Sequence, residues 1–346
     1  MTRPGGDVMG DAMRTTAREL VAPYKGILAA DESTGTIAKR FDQIGVGSTE
    51  ENRRSYRELL FTTPGLGDHI SGVILYDETI RQASKDGVPF VDLLREASVI
   101  PGIKVDTGAK PLALFPNETI TEGLDGLRER LAEYRELGAR FAKWRATIVI
   151  GELTPTDAAI WANGHAMARY AALCQEAEIV PIVEPEVLMD GEHDLTACEV
   201  VTGRTLEALY EEMQSYRLDL PGTLLKVNMV VPGKDCGVQN TDEEIAQATI
   251  RCLAGHVPAD VPGVVFLSGG MSDEEATSRL NEMNRIGGFP WELSFSYGRA
   301  LQQAPLKAWG GKDANVEAAQ AALAHRAKMN GLARAGEYSA ELESAA

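Results

Sequence analysis

The sequence predicts a closed (β/α)8 barrel carrying a long C-terminal helix, and three observations predict it. Eight short, β-rich apolar runs recur along the 346 residues, helical patterns separate them, and no Pro-, Gly- or Ser-rich linker divides the chain into halves. Parallel strands covered on both faces read as nearly continuous apolar runs, and their alternation with helices is the mark of an α/β layered fold. Barrels of this kind run past ~250 residues as one domain, so residues 1–346 are taken as a single unit. A doubly wound open sheet is the alternative. No G-x-G-x-x-G turn follows any early strand, which counts against it.

In chain order the strand candidates are GILAAD (26–31), GVILYD (72–77), GIKVD (102–106) and FAKWRATIVI (141–150), then IVPIVEPEV (179–187), TLLKVNMV (223–230), GVVFLSGG (263–270) and WELSFSYG (291–298). Between them, Leu124, Leu127, Leu131, Tyr134 and Leu137 repeat at spacings of three and four, one apolar face of a helix. Ser48 with Glu51, Thr154-Pro155 with Asp157, Thr241 with Glu244 and Ser272 with Glu275 have the form of helix starts, where side-chain oxygens satisfy free N–H groups. Gly138 and Gly287 stand where helices would stop. Residues 312–334 form an Ala-rich helical pattern, and residues 337–346, ending in ELESAA, are expected to be a flexible tail.

The formal charge of −17 argues against nucleic acid or an anionic membrane as partner. An anionic substrate would need cations concentrated at one place. Cys174, Cys198, Cys236 and Cys252 show no C-x-x-C spacing and read as free thiols of a reducing compartment. The N-terminal MTRPGGDVMGDAMRTT lacks a signal-peptide core, and no run approaches the ~20 apolar residues of a membrane span, so a cytoplasmic protein is expected. His69, His165, His193, His256 and His325 show no metal-ligand spacing, and no metal is expected.

Active sites of such barrels lie at the C-terminal strand ends, and the unusual polar residues of this sequence fall there. Asp31 closes the first strand and Lys104 lies near the end of the third; Lys143 and Arg145 interrupt the fourth, Glu184 and Glu186 the fifth, and Lys226 the sixth. Ser268, Gly269 and Gly270 end the seventh strand, and Ser296, Gly298 and Arg299 the eighth. Strand residues two apart share a face, so Lys143/Arg145 and Glu184/Glu186 could project together into the mouth. A lysine attacks a carbonyl only as the neutral amine, which burial or a neighbouring cation favours. Lys226 in its apolar run, with Lys143 as second cation, meets both conditions, although the two roles could be exchanged. The Glu184/Glu186 pair suits proton transfer, because like charges raise one carboxyl's proton affinity. Asp31 could orient a hydroxyl; the following EST also allows it to be a helix N-cap. SGG followed one strand later by SYGR offers backbone N–H groups and a guanidinium to a phosphate.

LAADESTGTIAKR, GIKVD, FAKWR, IVPIVEPEVL, LLKVNM, FLSGG, FSYGRALQ and LKAWGG, in that order from residue 26 to about 311, closely resemble class I fructose-bisphosphate aldolase. The resemblance implies Lys226 as the Schiff-base lysine, Glu184 as principal acid/base, and Glu186, Lys143 and Asp31 as supporting catalytic residues. It also implies Thr36, Arg40, Lys104, Arg145, Ser268, Gly269, Gly270, Ser296, Gly298 and Arg299 as contacts to sugar phosphates. It further implies a metal-independent enzyme with no cofactor beyond the covalent intermediate, and a homotetramer. Thr36 replaces a serine of animal members, Val227 replaces the proline after the reactive lysine, and the chain lacks their terminal tyrosine, Tyr338 being its last. Transaldolase and deoxyribose-phosphate aldolase, also Schiff-base barrels, match less of the chain, and a scaffold that had lost catalysis would not need Lys226, Glu184, Lys143 and Arg299 together.

Overall fold

All eight apolar runs are strands of one closed parallel barrel in the computed structural model, which describes residues 6–344. They are β1 (Gly26–Ala30), β2 (Ile70–Leu75), β3 (Ile100–Lys104), β4 (Phe141–Ile148), β5 (Val180–Val187), β6 (Leu224–Val227), β7 (Gly263–Phe266) and β8 (Glu292–Tyr297). Each pairs with its neighbours in chain order, and β8 closes on β1 with Ile27 opposite Ser296. An antiparallel hairpin, Gly108–Pro111 with Thr119–Glu122, is inserted between β3 and β4 and was not foreseen from the sequence.

Alternation along the strands separates two cores. Outward-facing residues such as Leu28, Val73, Trp144, Val183 and Leu225 pack under the helices. Inward-facing residues, among them Ile27, Ala29, Ile74, Phe141, Ile182, Leu224 and Val265, fill the lower half of the barrel. Helix Gly6–Leu20 crosses the foot, and its Met13, Ala17 and Leu20, with Val21 just beyond, join this inner cluster. The docking requires glycine in two strands. A Cβ on Gly72 would lie 2.6 Å from Leu20 Cδ2, and one on Gly263 would lie 2.6 Å from Val21 Cγ1. Burying Leu20 and Val21 is worth about 1.5–3 kcal/mol each, which a larger strand residue would forfeit.

Continuing the inward parity toward the strand ends gives Asp31, Lys104, Lys143, Arg145, Glu184, Glu186, Lys226, Ser296 and Gly298. The fold thus stacks an apolar plug below a polar mouth.

Thr241 and Ser272 form complete capping boxes with Glu244 and Glu275. Two other helix starts are displaced: Thr49, accepting from Asn52 N, caps Glu50–Phe61 in place of Ser48, and Thr156 caps Asp157–Glu176 in place of Thr154. Gly138 terminates Leu127–Leu137 with φ 112°, and the Ala-rich pattern is the helix Val316–Ala335.

The segment 337–344, part of the tail expected to be flexible, packs against the helix Val316–Ala335. Ala340–Ser344 is a short 3-10 helix, and Glu343 accepts from His325 Nε2 (2.8 Å), Arg326 Nη1 (2.6 Å) and the Tyr338 hydroxyl (3.0 Å). Residues 345–346 lie outside those described. The cause is a buried guanidinium: Arg326 is 5% exposed and needs a carboxylate partner. Removing residues 337–346 is expected to lower thermal stability, as breaking a buried pair costs about 3–5 kcal/mol, while kcat stays within about threefold. Calorimetry and steady-state kinetics on the truncated chain check both halves; a large loss of turnover would contradict the second.

Candidate active site

A cavity of about 440 Å³ opens at the C-terminal ends of the strands. Asp31, Thr36, Arg40, Lys104, Lys143, Arg145, Glu184, Glu186, Lys226, Ser268, Gly269, Ser296, Gly298 and Arg299 all line it. Of the residues expected there, only Gly270 does not; it turns away against Lys234 and Met189. No residue of the segment 337–344 lines the cavity.

At its floor three ionic side chains are almost wholly buried: Lys143 and Glu184 are 3% exposed and Lys226 is 4% exposed. Glu184 sits between the lysines, with Oε1 3.2 Å from Lys226 Nζ and Oε2 3.2 Å from Lys143 Nζ. Lys143 also holds Asp31 at 2.7 Å. Burial disfavours the Lys143 ammonium, yet Asp31, Glu184 and Asp106 outweigh it and raise its pKa above the usual lysine value. Burial likewise opposes ionisation of Asp31 and Glu184, but the surrounding cations, Lys143 foremost, hold both carboxyls below their usual range.

Three sequence expectations change here. Lys143 is not a bare cation beside Lys226, because two carboxylates neutralise it. Glu184 and Glu186 do not share a proton; Glu184 faces the lysines while Glu186 pairs with Arg145, whose side chain is 43% exposed at the rim. Asp31 is not a helix cap, since helix Thr34–Asp42 starts behind Ser33.

These depressed carboxyls imply a pH dependence of stability. A group whose folded pKa is lowered stabilises fully above its unfolded pKa, near 4, and loses that contribution as pH falls through the folded value. Urea midpoints followed from pH 6 to pH 3 are expected to drop more steeply for the natural chain than for Asp31→Asn. Parallel curves would show that the ion cluster contributes nothing.

The upper wall gathers groups that could hold an anion. Gly269 and Gly270 take φ of 53° and 104°, which turns the chain between β7 and helix Asp273–Ile286. Gly298 precedes helix Arg299–Trp309 and its carbonyl accepts from Leu301 N (3.2 Å) and Gln302 N (3.0 Å), which leaves the N–H groups of Arg299 and Ala300 at the helix start to face an anion. The Ser296 hydroxyl beneath is buried and has no hydrogen-bond partner among the described residues. Lys104 is held by Asp106, 2.8 Å from Oδ1 and from the backbone oxygen.

Glu32, Ser33, Lys39 and Gln43 also line the cavity and were missed, as was Asp106 behind Lys104. Their signal was available in part: Glu32 and Ser33 stand in DEST, and Asp106 ends GIKVD. Among the described residues no group of three or more His, Cys, Asp or Glu side chains could hold a metal ion.

A lysine–carboxylate–lysine array below a rim of cations and free N–H groups, at the mouth of a barrel, suits a lyase that works through an imine on phosphorylated substrates. The family Fructose-bisphosphate aldolase class-I matches residues 12–346. A probable fructose-bisphosphate aldolase class 1 of Xanthomonas campestris pv. campestris is 58% identical over 330 residues, covering 95% of this chain and 98% of that protein. Fructose-bisphosphate aldolase 4, cytosolic, of Arabidopsis thaliana is 56% identical over 322 residues, covering 93% and 82%. A ternary co-crystal structure of Plasmodium falciparum fructose-bisphosphate aldolase with TRAP and a small-molecule inhibitor superposes with a TM-score of 0.96 at 49% identity, covering 98% of each chain. The chain belongs to the class-I fructose-bisphosphate aldolase family and is a carbon–carbon lyase.

Proposed function

We propose that Lys226 is the nucleophile in the reversible cleavage of fructose 1,6-bisphosphate to dihydroxyacetone phosphate and glyceraldehyde 3-phosphate, a step of glycolysis and gluconeogenesis. The observation that carries the assignment is the unequal ion pairing of the two buried lysines. Lys143 is locked as an ammonium between Asp31 and Glu184, whereas among the described residues the one carboxylate paired with Lys226 is Glu184, at 3.2 Å. Glu184 takes a proton from Lys226, and the freed amine adds to the C2 ketone. The same carboxyl returns a proton to the carbinolamine hydroxyl, which leaves as water. In the protonated imine, the Glu184 carboxylate, ionised again once water has left, takes the O4 proton; the C3–C4 bond breaks, the aldehyde departs, and the electron pair enters the imine to give an enamine. Protonation of carbon and hydrolysis then release the ketone. Lys143 and Asp31 hold the C3 and C4 hydroxyls.

The anion groups divide between two phosphates: Ser268, Gly269, Ser296, Gly298 and Arg299 on one wall, and Thr36, Arg40, Lys104 and Arg145 around the mouth, with Gly270 completing the turn behind. Glu186 fixes Arg145. The reaction uses the imine as its electron sink and calls on no metal or cofactor. The acidic chain acts on sugar phosphates in the cytoplasm, with neither nucleic acid nor membrane as partner. The assembly we expect is a homotetramer.

Borohydride reduction with dihydroxyacetone phosphate in EDTA, followed by peptide mapping, tests the assignment. One modified residue, Lys226, is expected. Modification of Lys143 instead would reverse the two roles.

A further inference from the structure

In the cavity wall, and reaching behind it, lies a second buried charge cluster that no step of the cleavage chemistry uses. Glu32 is 8% exposed and Arg57 is 3% exposed. Arg57 Nη2 donates to Glu32 Oε2 at 2.6 Å, while Arg40 Nη1 reaches Glu32 Oε1 from the cavity side. Gln302 Nε2 donates to Glu32 Oε1 (2.8 Å) and to the β1 carbonyl of Ala29 (2.7 Å), and Gln302 Oε1 accepts from Arg57 Nη1 (3.3 Å). One carboxylate therefore has two arginines of unlike character. Arg57 is sealed in the protein and anchored twice. Arg40 lines the cavity, and a side chain on Gly298 would begin 3.6 Å from its Nη2, so it stands beside the start of helix Arg299–Trp309.

We infer that Glu32 is a positioning residue that keeps Arg40 in reserve, and that Arg57 is the permanent counter-ion which lets Arg40 leave Glu32 for a substrate phosphate. The inference rests on the phosphate reading of the cavity given above.

The physical reason is the cost of a stranded charge. A carboxylate as buried as Glu32 cannot lose its only cation without a large desolvation penalty. With Arg57 and Gln302 in place, Glu32 stays satisfied when Arg40 swings away. The cluster of two arginines and one glutamate keeps one positive charge in excess, the sign an incoming phosphate needs. Burial alone would raise the Glu32 carboxyl, but Arg57 and Arg40 more than offset it, so the group is ionised and competes with phosphate for Arg40.

Two variants must then move phosphate affinity in opposite directions. Glu32→Gln removes the competitor, and inorganic phosphate is expected to bind about three- to tenfold tighter, with KM for the bisphosphate falling and kcat little changed. Arg57→Gln leaves Glu32 dependent on Arg40, and phosphate is expected to bind about three- to tenfold more weakly, with KM rising. In an Arg40→Gln background both changes should vanish.

Titration of inorganic phosphate against the full chain and these variants reads the effect, with hydride trapping at Lys226 run on each. A merely structural cluster would weaken binding in both single variants. That result, unchanged affinities, or effects that persist without Arg40 would overturn the inference. If Arg57→Gln does not fold, Glu32→Gln with and without Arg40→Gln still decides, because only exchange predicts a gain. Failure to trap Lys226 in the natural chain would instead sink the cleavage assignment, leaving the phosphate titration to stand or fall alone.

Discussion

Lys226→Met is expected to lower kcat for fructose 1,6-bisphosphate by at least about 10⁴-fold and to abolish hydride trapping with dihydroxyacetone phosphate. Methionine fills nearly the same space in β6 and introduces no buried charge, so the barrel should persist and the loss can be ascribed to chemistry. Lys143 cannot substitute for the missing amine. Asp31 at 2.7 Å and Glu184 at 3.2 Å hold it as an ammonium with a raised pKa. Its register partner on β3 is the cationic Lys104, which leaves those two carboxylates indispensable to it. Turnover within about tenfold of the natural chain, or a trapped imine moved to Lys143, would remove the foundation of the assignment.

Glu184→Gln should have the next largest effect, a fall in kcat of about 10²–10⁴-fold. The amide keeps the shape and can still accept hydrogen bonds, but it cannot carry a proton from Lys226 to the carbinolamine hydroxyl. It also removes the negative charge between two ammonium groups. Imine formation should slow along with turnover, which a rapid-quench borohydride time course would resolve from later steps. Glu186→Gln is the control. Its carboxylate pairs with a half-exposed Arg145 near the rim, so a loss of about tenfold or less is expected, chiefly in KM. Equal losses in the two variants would mean that Glu184 has no special part in proton transfer.

Local periodicity made the barrel legible. Each strand carries its own apolar run, and the step of two residues that buries Ile182 also delivers Glu184 and Glu186 to the mouth. Partnership was harder to see. Spacing alone set Glu184 against Glu186, because a strand sequence shows only its own neighbours; in the folded chain the nearest charges to Glu184 come from β4 and β6. The sequence left open whether Asp31 orients a hydroxyl or caps a helix, because its partner, Lys143, lies 112 positions along, which is the difference between 143 and 31. Glu32 was missed for the same reason, as Gln302 reaches it from the opposite end of the chain. The packing of the short final segment was not legible because its composition is that of a solvated end, and only the fold reveals Arg326 waiting for an acid.

The helix across the foot of the barrel has a kinetic consequence. With Leu20 and Val21 seated against Gly72 and Gly263, the foot of the barrel is plugged, and the cavity described above opens at the other end. On the proposed mechanism both three-carbon fragments would pass through that opening. The tether to Lys226 sets their order, since the enamine must be protonated and hydrolysed after the aldehyde has left, and in reverse the ketone must load first. The stopper at the far end of the vessel then leaves this traffic to run through the polar mouth.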